Sequence, residues 1–314
     1  MSYKVVVIIP CLNEAKSINR TILEVRSVLP GASILVIDNG STDETVEIAT
    51  KSGAQVLFEP QKGKGFAVRR AFDNIPKGTD AVFMLDGDGT YEVAPVLLAI
   101  NKVVEHGFDM VVGRRKVQPK SNSTGRREFR TGHAAGNKIL SATFNFLFQI
   151  QISDTLSGWR VFSMGFINSF PGGASQFEIE AELNAHAHTL SCAITEVEVV
   201  YESREEGSTS KLNTYRDGVK ILRRNLSLYR SEKPTVAFSL LAFPWFIAGM
   251  WLGSRVLSDY LQTQLVPKFP SLIAAIGFLT IAGNLWVTGM ILERVRLQRV
   301  AFARLAYKEG LKKV

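Results

Sequence analysis

The chain has 314 residues, of which 46% are hydrophobic and 21% charged, and it carries a formal net charge of +8. That length leaves room for one large α/β domain and a further element. Lys211–Lys233 and Glu293–Val314 each hold seven basic and two acidic residues, so the remainder is slightly acidic; a basic excess confined to the flanks of hydrophobic segments points away from nucleic acid and towards a membrane surface.

In chain order, Lys4–Ile9 is a continuous β-branched run, which suits a strand buried on both faces. The two cysteines, Cys11 and Cys192, are far apart and lack metal-ligand spacing, so they suggest neither a disulfide framework nor a zinc site. Met1–Lys4 lacks the apolar core and small-residue cleavage site of a signal peptide. After the break at Pro10–Glu14, Asn13 is placed to cap a helix that presents Ile18, Ile22, Val25 and Leu29 on one face. Pro30-Gly31 closes it, and Ser33–Asp38 is a second strand. Ser41 with Glu44 fits a capping box ahead of the next helix. A third strand, Ala54–Phe58, leads through Gly63-Lys64-Gly65 into a helix reaching about Asp73. A strand at Ala81–Leu85, a helix near Ala94–His106 and a strand near Met110–Gly113 continue the alternation. That pattern predicts a parallel sheet of Rossmann type.

Three features of this region carry chemistry. The apolar run Ala81–Leu85 ends in Asp86-Gly87-Asp88-Gly89, which places two carboxylates at the exposed carboxyl end of a buried strand, the edge where open α/β sheets bind ligands. Two aspartates so spaced can hold a hard divalent cation that carries substrate phosphates, although the same residues also make a good solvated turn. Asp38, again at a strand end, is read either as a ribose or base contact or as a helix cap. Lys64 between two glycines can approach a phosphate, but it does not belong to the Gly-x-x-x-x-Gly-Lys-Ser/Thr loop.

From Arg114 to Arg130 the chain holds seven arginines and lysines without periodicity. It reads as a loop over the site that meets an anionic group, or as a solvated connection. A helix at Ala134–Ile150, a polar stretch Ser153–Arg160, a helix start at Phe177–Glu182 and an edge-type strand at Ile194–Tyr201 follow. In Lys211–Lys233, Tyr215, Val219, Leu222, Leu226 and Tyr229 form an apolar stripe flanked by five basic residues, as in a helix lying in a membrane interface. Residues 234–254 and 269–292 carry no charge, and each is long enough to cross ~30 Å of hydrocarbon. The basic flanks place the domain and the tail together in the cytoplasm. The expected organisation is a catalytic domain over 1–210, an amphipathic juxtamembrane helix over 211–233, and over 234–314 two spans (about 235–254 and 270–292) with a basic tail.

Taken together, Ile9-Pro10 with Asn13-Glu14, Val36–Asp43, Asp86-Gly87-Asp88, Asp154 with Gly158 and Arg160, and Gly207-Ser208 through Ser210–Leu212 resemble the motifs of the polyprenyl-phosphate glycosyltransferases of glycosyltransferase family 2, the group that includes dolichol-phosphate mannose synthase. The resemblance runs from about residue 4 to residue 220. It implies a GT-A catalytic domain, Rossmann-like with a mostly parallel sheet, and a multi-pass protein of the cell membrane serving envelope glycosylation. Pro10, Leu12, Glu14, Val36, Asp38, Lys64, Asp86 and Gly87 would bind the nucleotide sugar. Mg²⁺ or Mn²⁺ would sit on Asp86 and Asp88, with Thr90 standing where many relatives carry a metal-meeting glutamine. Arg115, Arg130, Arg204 and Lys211 would grip the diphosphate or the lipid phosphate, and Asp88, Asp154 and Arg160 complete the expected catalytic set. Arg114 replaces a usual serine, and the Gln-x-x-Arg-Trp signature of processive members is absent.

The expected reaction is inverting transfer of a sugar from a nucleotide diphosphate sugar to a polyprenyl or dolichyl phosphate. A phosphate monoester is mostly dianionic at neutral pH and needs little activation. Two other readings remain at this point: a hydroxyl acceptor, which would make a carboxylate base such as Asp154 or Glu178 essential, and a membrane-anchored nucleotide-binding protein without catalysis. No residue separates one sugar or nucleotide from another, and a homo-oligomer is left open.

Overall fold

The computed structural model describes residues 3–117, 152–171, 179–202, 230 and 232–312. The chain divides into two compact units, one formed by Met1–Asn225 with Phe302–Val314 and the other by Leu226–Ala301.

The first unit is built on a sheet whose strands are β1 (Val5–Cys11), β2 (Ser33–Asp38), β3 (Gln55–Phe58), β4 (Ala81–Met84), β5 (Met110–Val117), β6 (Arg160–Ser163) and β7 (Ile194–Tyr201). Their order across the sheet is β3-β2-β1-β4-β6-β5-β7. The connecting helices are α1 (Ile18–Val28), α2 (Thr45–Lys51), α3 (Lys64–Phe72), α4 (Val96–Val104), α5 (Met164–Ser169) and α6 (Ile179–Leu190). Successive side chains of a strand point to opposite faces. Val5, Val7 and Ile9 accordingly join a core with the buried faces of α1, α2 and α4, while Val6 and Ile8 join one with α3, α5 and α6. Burial on both faces is why β1 reads as an unbroken apolar run. Each fully buried Ile of that run is worth roughly 1.5–3 kcal/mol over its exposed state.

β1 pairs in parallel with β2 on one side and β4 on the other. The chain thus winds outward in two directions from the β1/β4 boundary, and the crevice at such a switch point is where ligands bind. β6 runs antiparallel to both β4 and β5, and β5 runs parallel to β7. The carboxyl ends of β1, β2, β4, β5 and β7 and the amino end of β6 therefore share one edge.

Several expectations need correction. Asn13 does not cap α1: it adopts a left-handed φ of 55°, and its Oδ1 accepts from Thr42 N at 2.7 Å. The capping box is absent too, since Ser41 Oγ instead accepts from Asn13 N at 2.9 Å and Asp43 Oδ1 accepts from Thr45 N at 3.1 Å. A cross-loop hydrogen bond takes up Ser41, and Asp43 bonds the helix start locally in its place. Arg114–Val117, expected as the start of a loop, continue β5 in register with Glu198–Tyr201. The four-residue antiparallel β6 was not predicted. The expected helix over 134–150 lies outside the described residues, as does the expected juxtamembrane helix over 211–233 except for residues 230, 232 and 233.

Near the chain's end, within this same unit, Tyr307 donates its phenolic hydrogen to Asp109 Oδ1 at 2.7 Å. Asp109 also accepts from Ala193 N at 2.9 Å and Ser163 Oγ at 3.1 Å.

The second unit comprises α7 (Pro234–Thr263) and most of α8 (Phe269–Lys312). Both helices are long and apolar enough to cross a membrane. They pack at glycines: a Cβ at Gly249 would lie 2.8 Å from Leu279 Cγ, and one at Gly289 would lie 2.9 Å from Phe238 Cβ. Their outer faces leave Leu240, Phe243 and Leu261 more than 60% exposed, and exposed apolar surface of this kind marks a membrane or a partner site. At the polar end Glu232 pairs with Arg299 at 2.8 Å and Arg296 at 3.6 Å.

Candidate functional site

The shared edge of the sheet gathers the acids singled out by sequence. Asp86 stands two residues past the end of β4, whose Met84 pairs with Ile8 of β1. Its carboxylate lies against the backbone at Gly158, where a Cβ would come 2.3 Å from Asp86 Oδ2. Gly87 is equally constrained, since a Cβ there would meet Cys11 Sγ at 2.6 Å. Both glycines are needed for close approach rather than for turning. The 87–88 loop is also tied to the first helix by Ser17 Oγ, which donates to Gly87 O at 2.7 Å.

Lys64, the first residue of α3, buries its ammonium between two carboxylates. It lies 2.6 Å from Asp86 Oδ1 and 2.6 Å from Glu180 Oε1. Burial alone would depress this ammonium, but the two acids outweigh it and hold Lys64 well above the ordinary lysine range. Asp88 is buried, and its Oδ1 accepts from Thr90 Oγ1 at 2.7 Å and Thr90 N at 3.2 Å. The Thr90 hydroxyl thus spends its hydrogen on Asp88.

A second group stands beside the first. Arg115, near the end of β5, makes a bidentate pair with Asp154, Nε to Oδ2 at 2.6 Å and Nη2 to Oδ1 at 2.7 Å. This fork is the strong geometry for guanidinium and carboxylate. Asp154 outweighs the burial and raises the Arg115 guanidinium above its ordinary range. The Arg115 Cζ sits 5.4 Å from the Tyr201 ring centroid, and Tyr201 packs edge-on to Tyr91 at 5.0 Å. Tyr91 Oη accepts from Gly158 N at 3.2 Å, which closes a continuous path from Arg115 back to Asp86. Burial pushes the Tyr91 phenol up, so it remains protonated.

Arg160 is placed otherwise. It is fully buried, and its guanidinium donates to Ser157 O (2.9 Å), Thr155 O (3.0 Å) and Asn184 Oδ1 (2.6 Å). Burial brings it down to about 10, so it stays charged at neutral pH while holding the 155–157 backbone in place. Glu196 of β7 fixes the same loop further back, accepting from Ser153 N at 2.7 Å and Ser153 Oγ at 2.8 Å.

On the β2 side, Asp38 folds its carboxylate onto the following turn, accepting from Ser41 N at 3.1 Å and Gly40 N at 3.3 Å. Val36 is fully buried within β2 and Leu12 is half-buried after β1. Glu14 N donates to Thr45 Oγ1 at 2.8 Å. Asn39 links this edge to the approach of α3: its Nδ2 donates to Gln61 O at 2.7 Å and its Oδ1 accepts from Gly63 N at 2.6 Å. Arg114 pairs instead with Glu198 on the exposed strand surface. Arg130, Glu178, Arg204 and Lys211 lie outside the described residues.

Asp86 and Asp88 supply hard oxygen donors at the crevice. Among the described residues no group of three or more His, Cys, Asp or Glu side chains gathers in metal-binding geometry. Two such carboxylates can give part of a hard divalent cation's shell and leave the rest to phosphate oxygens and water. Sequence reasoning missed Glu180, Tyr91, Tyr201, Glu196 and Asn39. All five lie in or beside segments named from the sequence, Asn39 within Val36–Asp43 and Tyr91 directly after Thr90, but nothing in the spacing of Glu180 pointed to Lys64.

Residues 6–168 match the family model described as Glycosyl transferase family 2. The chain belongs to glycosyl transferase family 2. This glycosyltransferase is 31% identical over 278 residues to Glycosyltransferase AglJ of Haloferax volcanii, with 88% of each chain covered. It is 28% identical over 217 residues to a dolichyl-phosphate hexose transferase of the same organism, covering 68% of its own length and 89% of that relative's. Among solved structures, glucosyl-3-phosphoglycerate synthase from Mycobacterium tuberculosis in complex with Mn²⁺ and uridine-diphosphate-glucose superposes with a TM-score of 0.55 at 22% identity, over 71% of this glycosyltransferase and 79% of that chain. The likeness is one of fold, that of the GT-A enzymes. The family match includes Lys64, Asp86, Asp88, Arg115, Asp154 and Arg160, and it ends before Glu180 and Tyr201.

Proposed function

We infer that this glycosyltransferase moves a sugar from a nucleotide diphosphate sugar to the phosphate of a polyprenyl or dolichyl lipid at a membrane surface, with inversion at the anomeric carbon. The observation that carries the reading is the juxtaposition of the strand-end acids Asp86 and Asp88 with the Arg115–Tyr201–Tyr91 wall through Gly158. One side suits a cation-bound diphosphate and the other an incoming anion. The dolichyl-phosphate hexose transferase among its relatives and the two apolar helices support the lipid acceptor and the membrane setting.

In this reading Pro10, Leu12 and Glu14 frame the nucleotide, Asp38 acts through the turn it closes, and Val36, expected to line the pocket, is fully buried in the core and only backs it. Asp86 faces the nucleotide while Asp88, braced by Thr90, would hold Mg²⁺ or Mn²⁺, which when bound neutralises the leaving diphosphate. Arg115 receives the acceptor phosphate, and the same service is proposed for Arg130, Arg204 and Lys211. The chemical difficulty is the approach of a dianion to a diphosphate, and prearranged positive groups lower that barrier most effectively. Asp154 orients Arg115. With both carboxylate oxygens engaged by the guanidinium it is a poor general base, which favours a phosphate acceptor over a hydroxyl. Arg160 positions the Thr155–Ser157 backbone and does not touch substrate.

The test is incubation of the purified full chain with polyprenyl phosphate, Mn²⁺ and a panel of radiolabelled nucleotide sugars. Label in the organic phase, released by mild acid, is the expected result. Transfer only to water or to a sugar hydroxyl would overturn the lipid-phosphate acceptor.

A further inference from the structure

Lys64 is more than a phosphate-approaching lysine, because its ammonium is committed to two carboxylates from opposite sides of the crevice. Asp86 comes from the end of β4, and Glu180 from the first turn of α6. Glu180 is only 4% exposed. A buried carboxylate is retained only when paired, and this one has its partner in Lys64. Asp86 has little freedom of its own, since the backbone at Gly158 blocks one side of it. Lys64 occupies the other side, and Glu180 fixes where Lys64 stands.

We propose that Glu180 is a positioning residue of the donor site: by holding the Lys64 ammonium at 2.6 Å it aims the Asp86 carboxylate at a bound nucleoside diphosphate. The proposal rests on the reading that a nucleotide diphosphate sugar occupies this crevice. Removing the charge of Glu180 frees the Lys64 ammonium to shift, and Asp86, paired with it at 2.6 Å, turns with it away from the nucleotide. Removing Lys64 makes Glu180 irrelevant to the ligand.

The experiment is a double-mutant cycle on the full chain in detergent, with UDP and GDP, each with Mn²⁺, as titrants and Tm recorded for every variant. E180Q is expected to weaken nucleotide binding about tenfold, the scale of one charge-assisted hydrogen bond. E180D is expected to recover part of that loss, and K64M/E180Q to bind no more weakly than K64M. The double variant also avoids the facing, unpaired acids that would destabilise K64M, so K64M/E180Q can be compared with K64M/E180A, which lacks them too, should K64M itself fail to fold; equal affinities support the proposal and unequal ones oppose it. Wild-type affinity in E180Q, or an equal further loss on adding E180Q to K64M, would overturn it. If the wild type binds neither nucleotide, the donor-site reading falls and this proposal with it, an outcome distinct from either of those.

Discussion

At the scale of single residues, the site is governed by how little space it leaves. A Cβ at Gly158 would collide with the Asp86 carboxylate, a side-chain end that must swing away to make room. G158A is therefore expected to displace Asp86 and reduce kcat/KM about 10²-fold, the usual consequence of a 1 Å misplacement, with a small change in Tm; steady-state kinetics on the organic-phase product measure it. D88N should cost about 10²-fold or more in turnover, because it removes charge from the group proposed to hold the cation. The Arg115–Asp154 fork gives a different signature. D154N leaves a largely buried guanidinium unpaired, so a loss of about 3 kcal/mol in unfolding free energy is expected. R115K should retain more stability but lose the planar fork, raising KM for the lipid phosphate more than that for the nucleotide sugar.

At the scale of elements, the strands buried on both faces were legible because their residues are apolar without interruption. Ser33–Asp38 and Ile194–Tyr201 fall where their composition puts them. β6 was not legible: four residues opening with a buried arginine resemble no strand, and only pairing on both sides makes them one. The caps failed for a related reason. Asn13, Ser41 and Asp43 are good local cappers by type, yet each finds a partner across the loops that join β1 to α1 and β2 to α2. Asp38, Asp86 and Asp88 were visible because strand ends are marked by sequence. Glu180 and Tyr201 were not, since their relation to Lys64 and Arg115 arises only when distant segments meet. The cross-loop bonds also make a prediction. Hydrogen bonds from Thr45 and Ala15 outweigh partial burial and lower the Asp43 carboxyl below its ordinary value. Its contribution to stability is then fully present above its unfolded value of about 3.8 and is lost as pH falls through the lower folded value. D43N should flatten the Tm-versus-pH curve below about pH 4, as differential scanning fluorimetry would show.

At the scale of the whole molecule, a family 2 catalytic domain and two long apolar helices occur in one chain. The outer faces of those helices carry many exposed apolar side chains. The full chain is therefore expected to stay with the membrane pellet after alkaline carbonate washing and to require detergent for release, as fractionation with immunoblotting would check. Recovery in the supernatant would remove the membrane setting from the proposed function. The apolar segments were plain in the sequence, whereas the contact at their glycines was not, because small residues reveal packing only once both helices are placed.

That contact at Gly249 and Gly289 has a mechanical outcome. Two rods free to slide would act as a slack leash, limiting only how far an attached body can wander. Rods notched at two separated glycines, one taking Leu279 and the other the start of the Phe238 side chain, have less room to roll past each other. A leucine at either notch should loosen this fit without shortening either rod.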